Sequence, residues 1–94
     1  MKLRFYVDPE TGTPHIHKHG VAEHEVEEVL LSTREDRPGR EDSRIAIGQT
    51  DGGRFLRVIY TRHTEPGSVF VITAYDLSGK QLRAFRRRSR RKGR

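Results

Sequence analysis

The chain has 94 residues, of which 32% are hydrophobic and 34% charged, and it has no cysteine. That is enough for one small domain with one thin core, and it excludes disulfides and thiolate metal sites. No apolar run approaches the roughly 18 residues of a membrane span and no signal peptide is visible, so a cytoplasmic protein without membrane contact is expected.

The net charge of +6 averages two unlike parts. Residues 1–76 carry 10 Lys and Arg against 13 Asp and Glu, whereas residues 77–94 carry 9 Lys and Arg and no acid. A mildly acidic domain with a strongly basic end points to a polyanionic partner.

In chain order, Lys2 to Asp8 reads as a first strand, closed by Pro9, whose ring removes a ladder donor. Asp8 to Gly12 is a turn. Thr13-Pro14 then offers a helix start for a short helix, His15 to His19, which Gly20 ends. Ala22 to Leu31 is the strongest helix, with Val26, Val29 and Leu30 as its apolar stripe and glutamates outward. Arg34 to Glu41 is a short edge strand and a loop. Arg44 to Thr50 alternates like a strand, and Asp51-Gly52-Gly53 turns it into a hairpin.

Arg54 to Asp76 is the stretch densest in β-branched and aromatic residues, and it organises the rest. Its halves read as two antiparallel strands joined around Pro66-Gly67. Alternation puts Leu56, Val58 and Tyr60 on one face. The simplest pairing sets them with Phe70, Ile72 and Ala74, beneath helices. Arg57, Thr61, His63, Thr73 and Tyr75 then share an open or shallowly covered face. Ser78 can cap a last helix from Gly79 to Arg88, anchored by Leu82 and Phe85. Residues 1–88 are thus the domain, and residues 89–94, with no apolar anchor, are a disordered basic tail. The expected fold is α+β: a small antiparallel sheet of three to five strands, two N-terminal helices and a basic C-terminal helix, with helices mainly on one face.

RNA cleavage by transesterification needs a base, an acid and cations on the phosphate. Histidine suits the first two roles and arginine, with its planar fork, the third. His63, Arg57 and Tyr75 form the preferred catalytic group: proton carrier, phosphate clamp, and stacking platform or proton donor. His15, His17 and His19 alternate at a spacing that could hold zinc. Without a carboxylate partner in the pattern, no metal and no cofactor is expected. Those histidines and Lys18 then flank an RNA path or stand on an exposed helix. Gln81, Arg83, Arg86, Arg87 and Arg88 give the last helix a basic face suited to RNA backbone, and Lys80 joins the RNA-binding set.

Phe5-Tyr6-Val7-Asp8-Pro9, Lys18-His19-Gly20-Val21, Arg44-Ile45-Ala46-Ile47-Gly48 and Val58-Ile59-Tyr60-Thr61 occur in this order and spacing. On these segments the chain resembles the BrnT toxins, small RelE-like ribonucleases of bacterial type II toxin–antitoxin pairs, from about Phe5 to Phe85. The Lys-His-Gly-Val element followed by an acidic helix also resembles a related uncharacterised domain group in that superfamily. The resemblance implies a RelE-like fold, RNA as substrate, the RNA's own 2′-hydroxyl as nucleophile without metal, and a cognate antitoxin protein. Lys18, Arg44 and Thr61 match functional positions, which adds Lys18 to the catalytic group and Arg44, with Arg62, to the RNA-binding set. The chain departs from the pattern at His63, at Thr73-Ala74-Tyr75-Asp76, and at Gln81 and Phe85.

Overall fold

A computed structural model describes residues 1–62 and 65–92. The elements are β1 (Lys2–Phe5), a 3-10 helix (His15–His19), α1 (Glu23–Leu31), β2 (Glu35–Pro38), β3 (Arg44–Gln49), β4 (Phe55–Arg62), β5 (Ser68–Asp76) and α2 (Gly79–Lys92). One five-stranded sheet has the order β1-β5-β4-β3-β2. From β2 to β5 neighbours run antiparallel, as their short connections require. β1 lies parallel to β5, Lys2 opposite Ser68 and Phe5 opposite Val71, so the α+β sheet is mixed and not wholly antiparallel. The long excursion through the two N-terminal helices lets β1 arrive from the same end as β5.

The inward side of the sheet meets the 3-10 helix and α1. Leu56 and Val58 on β4, Ala46 on β3, and Val71 and Ala74 on β5 pack there with Ile16, Val21, Val26 and Val29. Gly48 lets α1 come close, because a Cβ at that position would stand 3.1 Å from Val29 Cγ1 and 3.4 Å from the Val29 carbonyl. On β5 the expected inward set is corrected by a bulge: Ile59 pairs with Thr73, but Tyr60 pairs with Val71. The extra residue, Ile72, shifts the alternation. Val71 and Ala74 therefore enter the core, while Phe70 and Ile72 move to the opposite face. Arg57, Thr61, Thr73 and Tyr75 remain together on that opposite face. His63 lies outside the described residues.

α2 crosses this second face, so the helices occupy both sides of the sheet and do not gather on one. Phe85 is buried against Ile47 and Leu77, with Leu82, Ile45 and Phe55 around them. Arg88 fixes α2 to the edge strand β2 by a two-pronged contact, Nε and Nη2 each donating at 2.8 Å to the Glu35 carboxylate. Only part of the mixed face is thus open. The helix also continues to Lys92, beyond the expected end at Arg88, so residues 89–92 are helical, whereas 93–94 lie outside the described residues. No described helix is long and apolar enough to cross a membrane.

Candidate functional site

The residues between β1 and the 3-10 helix fold back on themselves. Asp8 N–H donates to the Thr13 carbonyl at 2.9 Å, and Gly12 N–H donates to the Asp8 carbonyl at 2.7 Å. Val7 and Pro14 form an isolated antiparallel bridge. His15 N–H then reaches the Tyr6 carbonyl at 2.9 Å. This loop carries His15 back beside Asp8, although seven positions separate them. Ile16 anchors the 3-10 helix in the core, which turns His15, His17, Lys18 and His19 outward. Gly20, with φ of 68°, closes the helix in the left-handed region where glycine is preferred.

The result is a row of four rings running from Tyr6, just past β1, across the 3-10 helix to β5. Tyr6 and His15 have centroids 6.2 Å apart, His15 and His19 5.3 Å, and His19 and Tyr75 5.7 Å. Each neighbouring pair is edge-to-face, the arrangement favoured by ring quadrupoles. Asp8 Oδ2 lies 3.0 Å from His15 Nδ1 and 3.2 Å from Lys18 Nζ. A carboxylate can only accept, so Nδ1 carries the shared proton and Nε2 of the neutral ring keeps its lone pair. Bonding to His15, and next to Lys18, holds the Asp8 carboxyl below its ordinary pKa.

Of the residues named from sequence, Lys18 and Tyr75 come together at this row. Arg57 is adjacent, directly opposite Tyr75 across the β4–β5 ladder. Its Nε is buried and, like the Thr73 hydroxyl, lacks a hydrogen-bond partner among the described residues. Arg57 also lines a groove of about 730 Å³ with Ile45, Ile59 and Ile72, walled by the loop from Pro38 to Ser43.

Arg44 and Arg62 lie elsewhere, toward the far end of β4, where Arg62 is roughly 16 Å along the strand from Arg57. Arg44 is half-buried, and its Nε donates to Asp36 Oδ1 at 2.8 Å, while the Tyr60 hydroxyl donates to Asp36 Oδ2 at 2.6 Å. It braces β2 against β3, where a sequence reading gives it to RNA. Burial, then the Asp36 contact, raises the Tyr60 pKa. Lys80, Arg83, Arg86 and Arg87 are exposed on α2, and Arg86 also lies 5.5 Å over the Phe55 ring. Arg88 leaves this basic face for Glu35.

The three alternating histidines do not converge: His17 turns to Glu23, 3.9 Å away. Among the described residues no three His, Asp or Glu side chains form a group able to hold a metal ion. Asp8 is the site residue that sequence reading misses, because a turn aspartate and an orienting carboxylate look alike. The signal available was its offset of seven from His15 and ten from Lys18, across a glycine turn. No family model matches the chain, nor does any curated protein or solved structure.

Proposed function

We propose that this chain is an RNA-directed, toxin-like domain that cleaves RNA through the RNA's own 2′-hydroxyl, without a metal. The observation that carries the reading is His15, oriented by Asp8 through Nδ1, edge-on to His19, with Lys18 on the same carboxylate oxygen. Two imidazoles and an ammonium are the groups this reaction needs. His15 Nε2 takes the proton of the 2′-hydroxyl as that oxygen bonds to phosphorus. His19 returns a proton to the 5′-oxygen as its bond to phosphorus breaks. The products are a 2′,3′-cyclic phosphate and a 5′-hydroxyl, and proton exchange with water resets both rings. Lys18 has two more N–H donors to offer the phosphate, and Arg57 stands one strand from Tyr75 to meet the backbone beyond it.

The experiment is incubation of the pure protein with RNA in EDTA, followed by mapping of the ends. Cyclic-phosphate ends are expected, and His15→Ala should lower the rate by about a hundredfold or more with the fold retained. Undiminished cleavage in that variant, or no cleavage by the parent protein, removes the assignment. The exposed cations of α2 favour a second reading, RNA binding without cleavage by the same fold. Salt-sensitive binding with no new ends would select it. In either case a cognate antitoxin protein is the partner the family resemblance implies.

A further inference from the structure

Within the ring row, His15 and His19 come from the 3-10 helix and Tyr75 from the end of β5, distant parts of the chain. One side chain, Arg54, touches both. Its Nε and Nη2 donate to the two oxygens of Asp76, at 2.6 and 3.3 Å, and Asp76 directly follows Tyr75. Nη1 donates at 2.9 Å to the Gly20 carbonyl and at 2.9 Å to Glu25 Oε1. Nη2 also reaches the carbonyl of His19 itself, at 3.4 Å. Glu25 in turn accepts the Ala22 N–H at 3.0 Å, which ties the start of α1 to the same knot.

We infer that Arg54 is a positioning residue for the proposed site, setting His19 against Tyr75 and thereby against His15. The inference rests on the RNA-cleavage reading for its kinetic consequence, but the placement itself does not. A guanidinium is suited to the task because its donors are fixed in one plane. It grips a carboxylate on one edge while its other donors span the end of a helix. Lysine carries the same charge on a single nitrogen with no planar fork, so it cannot pair both Asp76 oxygens side by side while also spanning Gly20, His19 and Glu25. Arg54 touches none of the four rings, so its effect passes through the backbone of His19 and Gly20 and through Asp76.

The test compares the parent protein with Arg54→Lys, Arg54→Met and Asp76→Asn in two measurements. The first is the NMR chemical shift of the His19 ring protons, which the Tyr75 ring 5.7 Å away displaces. The second is kcat and KM for RNA cleavage, both taken well below the thermal midpoint of each variant. Arg54→Met should move the His19 signals toward random-coil positions and lower kcat by about tenfold to a hundredfold while KM changes by less than about threefold. Arg54→Lys should recover only part of each effect, and Asp76→Asn should fall between. If Arg54→Met does not fold, the Asp76→Asn and Arg54→Lys shifts decide alone. His19 signals that stay in place in folded variants overturn the inference, even where the melting temperature falls. If the parent protein cleaves no RNA, the functional reading fails, and the NMR shifts still settle whether Arg54 sets the row.

Discussion

The two faces of the sheet are held in different ways. Beneath the 3-10 helix and α1 lies a continuous apolar layer, in which Val26, Val29, Leu56, Val58 and Val71 are fully buried. Beneath α2 the apolar contact narrows to Phe85, Ile47 and Leu77 with their partly covered neighbours, and an ion pair at Glu35 completes the attachment. A helix whose residues are mostly arginine and lysine cannot bury a broad stripe. It depends on one ring and one carboxylate, so this face should answer to salt and to single substitutions more sharply than the other.

The largest expected effect follows from removing that ring. Phe85→Ala should cost about 3–5 kcal/mol if α2 stays docked and leaves a cavity. A smaller loss accompanied by reduced helical circular dichroism would show α2 releasing by itself while the inner face stays folded. The inner face offers the reciprocal test. Gly48→Ala should cost about 1–3 kcal/mol in urea unfolding, because its Cβ must push Val29 or the α1 backbone outward. A neutral result would mean that this face is less tightly packed than its burial indicates.

Acid titration separates the ionic contributions. Asp8 is held below its ordinary pKa by His15 and Lys18, Glu25 by the Ala22 N–H and Arg54, and Asp76 by Arg54. Each depressed carboxylate contributes stability that is complete above its unfolded value and is lost as pH falls through the folded one. Melting temperature should therefore hold near neutrality and fall below about pH 4–5. In Arg54→Met the share owed to Asp76 should vanish and that owed to Glu25 should shrink to what the Ala22 N–H supplies, flattening the fall. Arg88→Gln should have the smaller effect of about 1 kcal/mol, shrinking in high salt, because Arg88 itself is partly exposed. Smallest of all for stability, Arg83→Gln with Arg87→Gln should leave the melt unchanged within about 0.5 kcal/mol. The same pair should reduce the salt slope of RNA binding by close to two contacts.

Local signals carried the element order. Asp51-Gly52-Gly53 announced the β3–β4 hairpin, the Val26, Val29 and Leu30 spacing announced α1, and Leu82 and Phe85 marked the anchors of α2. What escaped was pairing between remote segments. Lys2 to Phe5 does not encode which strand it will join, or in which direction. The bulge at Ile72 is invisible in an unbroken run of β-formers, yet it exchanges the residues on the two faces. Of the residues in the proposed site, Lys18 and Tyr75 were singled out by residue type. Asp8, which bonds His15, and Arg54, which bonds Asp76, were not, because both read as ordinary charges flanking turns.

The parallel pairing of β1 with β5 has a consequence for synthesis. The first strand cannot find its neighbour until Ser68 to Val71 has left the ribosome, so closing that long loop is a late and slow event. Asp8, His15 and Lys18 ride on the segment that waits. A nascent chain therefore carries Tyr6, His15 and His19 before Tyr75 can meet them, and the row closes only after the end of β5 has emerged.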